Sequence, residues 1–176
     1  PVMEGKALLF KEYAGIDAFP ICIESQNTTE IINIVKNIVP IFAGINLEDI
    51  AAPQCFEIET ALQDIGIPVF HDDQHGTAIV TLAALINAAK LAKKELNELK
   101  IVINGAGAAG SAITDMLLRM NYIGEETKSV NEVIICDSKG ILYESRPDLA
   151  ENSSKLRLAR KTNRNNVQGS LENAMV

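Results

Sequence analysis

GINLEDIAAPQCFEIETALQDIGIPVFHDDQHGT, residues Gly44 to Thr77, holds two short apolar runs, Gly44–Leu47 and Ile67–Phe70. Each leads into an acidic pair, Glu48-Asp49 after the first and Asp72-Asp73 after the second. Between them lies a helical pattern, with Pro53 near its start and Phe56, Ile58, Ala61, Leu62 and Ile65 at apolar positions. Strand, helix and strand over about thirty residues make one parallel βαβ unit. Such a unit brings both strand ends to one sheet edge, about 5 Å apart if the strands are neighbours. Four carboxylates then crowd the crevice where open α/β sheets bind ligands. Like charges at that distance raise one another's pKa unless a cation sits among them. A hard divalent ion, Mg²⁺ or Mn²⁺, matches an all-oxygen donor set. The alternative is a solvated polar edge with no ion.

The 176 residues are 47% hydrophobic and 22% charged, with a net charge of -7. That balance suits a globular protein and argues against a nucleic-acid or membrane-surface partner, since either needs a basic face. No uninterrupted run approaches the roughly 18 apolar residues of a membrane span. Cys22, Cys55 and Cys136 are odd in number, lie in apolar segments and lack metal spacing, so they read as buried thiols of a reducing cytoplasm. Neither Pro1 nor Val176 reads as a natural terminus, and an internal fragment is expected.

Upstream, Lys6 sits in Glu4-Gly-Lys-Ala-Leu-Leu-Phe10, which continues as a helical pattern to Tyr13 with Gly15 as its stop. A surface lysine is the ordinary reading, but the adjacent glycine and the apolar helix behind it set Lys6 apart. Asp17–Ile23 is expected as a buried strand, with Pro20 pulling it towards an edge. Asn27 and Glu30 form a helix-start signal ahead of an apolar stripe from Ile31 to Val39, and Pro40 closes that helix.

Downstream, His71 and His75 are four apart, as in zinc hydrolases, but Asp stands where that motif requires Glu, and Gly76 interrupts. The next helix is therefore expected to begin at Thr77, with both histidines as hydrogen-bonding neighbours of the acidic site. Residues 77–92 are apolar around nearly the whole circumference, which predicts a helix buried on all sides at a domain junction. Asn104-Gly105-Ala-Gly107-Ala108-Ala109-Gly110 then gives G-x-G-x-x-G between a β-branched strand and a helical pattern. Strand before and helix after is the context that makes this fingerprint a dinucleotide loop. A second strand ends in Asp137, followed by Ser138. Asp137 is the expected ribose ligand, 27 residues beyond Gly110 because the polar insert Gly124–Ser129 lengthens the link. Residues 144–166 read as a long polar connection without a strand. The fold class is α/β: a parallel-sheet catalytic portion over 1–76 with the metal site, then a Rossmann-type dinucleotide-binding portion over 77–176, both incomplete.

PVMEGKALLF, GINLEDIAAPQCFEIE, FHDDQHGTAIV and NGAGAAG, in this order, resemble bacterial malic enzymes. The resemblance runs in register from Pro1 to about Tyr143 and is loose beyond. It implies Glu48, Asp49 and Asp73 as ligands of Mg²⁺ or Mn²⁺, Lys6 as general base and Asp72 as its acidic neighbour. The dinucleotide loop falls on Gly105, Gly107 and Gly110, with Asp137 at the ribose of NAD or NADP. The implied reaction is oxidative decarboxylation of L-malate to pyruvate and CO₂, in a cytoplasmic homodimer or larger assembly. The family's general-acid tyrosine lies upstream of Pro1, and Tyr13, Tyr122 and Tyr143 do not match its context. Its substrate asparagines lie beyond Val176, so the segment alone is expected to be inactive. Two other readings stay open: a non-catalytic metal- or nucleotide-binding module, and a dehydrogenase of the amino-acid type, which needs no divalent ion. Asp137 favours NAD, Lys139 suits a 2′-phosphate, and Ser138 is compatible with both.

Overall fold

Two parallel strand pairs, linked through one long helix, position the rest of the chain. The computed structural model describes residues 1–118 and 130–160. Strand β1 (Ile45–Leu47) pairs parallel with β2 (Val69–His71), Ile45 opposite Val69 and Leu47 opposite His71. Helix α3 (Gln54–Leu62) makes the crossover, as the βαβ reading requires. Its buried face, Cys55, Ile58 and Leu62, follows helical spacing, and Ile58 and Leu62 pack with Leu47 and with Ile31 and Val35 of α2 (Thr28–Ile38). The side chain of Asn27 accepts the Glu30 N–H at 3.0 Å and caps α2, which gives way at Val39-Pro40. Helix α1 (Val2–Ala14) carries Lys6 and ends at Gly15, whose φ of 67° is the left-handed stop.

The segment Asp17–Ile23 forms no strand. Pro20 offers no N–H to a ladder, and Phe19, 72% exposed, sits against Phe42 instead of entering a core. Cys22 is exposed with it, whereas Cys55 and Cys136 are buried free thiols.

Helix α4 spans Asp72–Ala92, starting five residues before the expected Thr77. Asp72 and Asp73 occupy the first turn, where the helix dipole favours negative charge. Gly76 continues the helix instead of breaking it, and a Cβ there would overlap the Asp72 carboxylate. Nor is α4 buried on all sides: it buries Gln74, Ala78, Leu82 and Ala89 but leaves Ile79, Val80 and Leu91 exposed. By length and composition α4 is apolar enough to cross a membrane. In this fold its buried face packs on α5 (Ala108–Leu118), with Leu82 in one core with Leu117 and Val133.

Strand β3 (Lys100–Asn104) pairs parallel with β4 (Glu132–Asp137), Lys100 opposite Glu132 and Asn104 opposite Cys136. Helix α5 follows β3, and β5 (Gly140–Ile141) adds antiparallel to β4. The insert Gly124–Ser129 lies outside the described residues. The expected loose connection after Tyr143 is a packed cap as far as residue 160. A 3₁₀ turn (Pro147–Leu149) and helix α6 (Ser153–Leu156) bring Leu149 and Leu158 onto Ile135 and Leu142, each at most 2% exposed. Its apolar residues are too far apart to show either periodicity, which hid the cap in the sequence.

Candidate functional site

At the carboxyl ends of β1 and β2 the chain turns twice into acid. Glu48, Asp49 and Asp73 each place a carboxylate oxygen within 4.8 Å of the others. Asp49 has φ 56°, a left-handed conformation uncommon for a residue with a Cβ, and its N–H donates to Asp73 at 3.0 Å. That bond ties the loop after β1 to the first turn of α4. Glu48 is buried, 8% exposed, and accepts from Asn46 at 3.1 Å. Lys6 reaches in from α1, its Nζ 2.5 Å from Asp72 and 3.2 Å from Glu48. The hydrogen bond to Asp72 raises the lysine's pKa above its ordinary value; burial opposes this and Glu48 adds to it.

Of the four carboxylates, Glu48 and Asp72 pair with one ammonium, the one cation in ion pairs with this group among the described residues. Three of them form an oxygen-only donor set, the kind a hard divalent cation takes. Glu48 belongs to both groups: it is one of the three clustered carboxylates and it also pairs with Lys6, which Asp72 holds more closely.

The histidines sit otherwise than expected. His75 bonds Glu59 of α3 at 2.7 Å, and Gln74 bonds the other Glu59 oxygen at 3.1 Å, so this network braces α3 against α4. His71 is fully buried, and neither ring nitrogen has a protein partner among the described residues.

A cleft of about 400 Å³ opens beside the second sheet. It is lined by Asn104, Gly105, Ala106 and Gly107, and also by Ala52, Pro53 and Phe56, from the loop after Asp49 and the start of α3. A Cβ at Gly110 would collide with the Gly105 carbonyl oxygen, so the helix packs against the turn only because glycine stands there. Ala108 and Ala109 form the first turn of α5. Asp137 and Ser138 line the same cleft, joined by Asn152, Ser154 and Lys155 from the cap.

Asp137 is not a free carboxylate. Arg146 clamps it from two nitrogens, at 2.9 and 2.8 Å, Lys155 donates at 2.7 Å and the Lys139 N–H at 2.9 Å. Burial alone would push its pKa up, but the bonds from Arg146 and Lys155 outweigh that and hold it well below the usual carboxylate range. Sequence reasoning missed Arg146, Asn152, Ser154 and Lys155. The available signal was weak: Lys139, Arg146 and Lys155 are scattered after Asp137 among Glu144, Asp148 and Glu151, in a segment otherwise without pattern.

Two family models match the chain: "Malic enzyme, N-terminal domain" over residues 24–63 and "Malic enzyme, NAD binding domain" over 74–175. A bifunctional malic/malolactic enzyme of Bacillus subtilis is 51% identical over 100% of this chain and 41% of its own length. A probable NADP-dependent malic enzyme of Rickettsia prowazekii is 49% identical over 100% of this chain and 22% of its own. The crystal structure of an NAD-dependent malic enzyme from Thermotoga maritima superposes with a TM-score of 0.84 and 47% identity, over 99% of this chain and 44% of that one. The chain therefore spans less than half the length of each of these three relatives.

Proposed function

The chain belongs to the malic enzyme family, and from that premise we propose that its protein converts L-malate and NAD(P)⁺ to pyruvate, CO₂ and NAD(P)H, with Mg²⁺ or Mn²⁺ bound by Glu48, Asp49 and Asp73. One observation carries the reading: the loop that follows Asp49 lines the same cleft as the glycine loop. Ala52 and Pro53 of that lining follow the acid Asp49 within a few residues, which supports a substrate held beside the dinucleotide, as transfer of a hydride between two bound molecules requires.

The residues divide the work by position. Gly105 and Gly107 leave the loop open to a pyrophosphate, which the start of α5 receives. Lys6 takes the hydroxyl proton of malate while the hydride on the same carbon leaves for the nicotinamide. For that it must act as the neutral amine, and Asp72 alone holds it in the opposite state. A bound divalent cation would supply Lewis acidity towards the substrate's oxygens and a positive charge that lowers the proton affinity of Lys6. Asp72 keeps the Lys6 ammonium directed into the site and stabilises it once the proton has arrived. The keto acid so formed loses CO₂, and the protonation that completes pyruvate is assigned to no residue of this chain.

The test is an assay of the full-length protein with L-malate, Mn²⁺ and each dinucleotide, followed by the absorbance of the reduced nicotinamide. Lys6→Ala is expected to lower turnover by about 10²- to 10⁴-fold and to leave dinucleotide affinity unchanged. Near-normal turnover in that variant would overturn the assignment.

We also assign the enzyme to the cytoplasm and to a homodimer or larger assembly. The free thiols Cys22, Cys55 and Cys136 suit a reducing compartment. Exposed Leu8, Leu9 and Phe19 offer apolar surface for a contact, which sedimentation velocity of the full-length protein would detect or exclude.

A further inference from the structure

In dinucleotide-binding folds the acid at the end of the second strand accepts hydrogen bonds from the free ribose hydroxyls. Asp137 stands at that place, but four donors already occupy it: the Lys139 N–H and Arg146 Nη1 on Oδ1, Arg146 Nη2 and Lys155 Nζ on Oδ2. Two carboxylate oxygens present about four lone-pair positions, so none is left for a hydroxyl. Arg146 is fixed: it is buried, bonds the carbonyls of Gly140 and Ile141 at 3.2 Å each, and also holds Asp148.

Lys155 differs from Arg146. Its side chain is 30% exposed, it lines the cleft, and its Nζ makes one hydrogen bond among the described residues, which leaves two of its three donors for a ligand. Ser138 lines the cleft beside it, and its hydroxyl donates to no protein group among the described residues. The local charges are Lys139, Arg146 and Lys155 against Asp137 and Asp148, an excess of one positive charge. Lys139, the neighbour of Asp137 in sequence, is committed to Asp148 at 3.0 Å and does not line the cleft.

We propose that Lys155, assisted by Ser138, receives the 2′-phosphate of the adenosine ribose, and that the enzyme therefore prefers NADP⁺ to NAD⁺. The proposal rests on the dinucleotide-binding reading above. A phosphomonoester brings acceptor oxygens and nearly two negative charges at neutral pH, and meets an ammonium with donors to spare. A neutral 2′-hydroxyl meets a carboxylate already saturated.

The test is calorimetric titration of the full-length protein with NADP⁺ and with NAD⁺. Wild type is expected to bind NADP⁺ at least about tenfold more tightly. Lys155→Ala should weaken NADP⁺ by about ten- to a hundredfold and leave NAD⁺ unchanged or tighter, because Asp137 regains a free oxygen. Lys155→Arg should keep the preference. A wild type that favours NAD⁺, or a Lys155→Ala variant that loses both dinucleotides equally, overturns the proposal. Failure of wild type to bind either one would defeat the dinucleotide-binding reading itself, and the proposal with it.

Discussion

Asp73 has two roles through one carboxylate: it belongs to the oxygen cluster with Glu48 and Asp49, and it accepts the Asp49 N–H. Asp73→Ala removes a donor and frees the strained loop residue at once, so Mn²⁺ affinity is expected to fall by at least about tenfold, measured by titration of the free ion. Unchanged affinity would remove Asp73 from the ligand set. Asp137 makes its mark in acid. Its folded pKa lies below the unfolded value, so its contribution to stability is complete above roughly pH 5 and is lost as pH falls through the folded value. Asp137→Asn also leaves buried Arg146 with Asp148 as its one remaining carboxylate partner among the described residues, and should cost about 1–3 kcal/mol at pH 7. Urea unfolding at pH 7 and pH 3 should show the gap between variant and wild type narrowing in acid; a gap of constant size would contradict the ion-pair account.

Among the elements, α4 departs furthest from what its residues suggest. The apolar pattern of residues 77–92 is plain, but Asp72-Asp73-Gln74-His75-Gly76 looks like a loop because acids and a glycine usually mark one. Both features favour the helix here: the acids sit at its positive end, and the glycine leaves space that Asp72 fills. Gly76→Ala is a helix-favouring change on propensity alone. In this position its methyl group displaces Asp72, the partner that holds Lys6, so malate oxidation should drop sharply while thermal stability changes little. Wild-type turnover in Gly76→Ala would show that Asp72 need not stay where it is. Legibility in the sequence followed periodicity and spacing. The βαβ unit, the capped α2 and the strand–loop–helix of the dinucleotide half each have a local pattern and could be read. The cap over residues 144–160 has none, being held by scattered leucines and by ion pairs to Asp137. The strand expected at Asp17–Ile23 failed because apolar character alone does not supply a partner strand or a proline N–H.

At the scale of the molecule, the acidic site could be read from the spacing of four carboxylates, whereas the occupants of Asp137 could not, since Arg146 and Lys155 reach it from 9 and 18 residues away. The same scale sets a constraint that no single residue shows. The first turn of α4 completes the acid cluster begun by Glu48 and Asp49, and the body of that helix packs on α5, which begins at the glycine loop. For genetic recombination the chain therefore has no clean seam near its middle. A crossover ahead of Asp72 parts the acids from one another; one after Lys93 keeps them all but gives α4 a foreign neighbour. A chimera joined at Lys93 to an unrelated dinucleotide half is expected to lose Mn²⁺ affinity although every acid is present, and titration of the purified chimera would decide it. Retained affinity would mean that the first turn of α4 keeps its place without α5. The prediction casts the two halves as a single unit of inheritance, whose parts lineages can modify but not exchange.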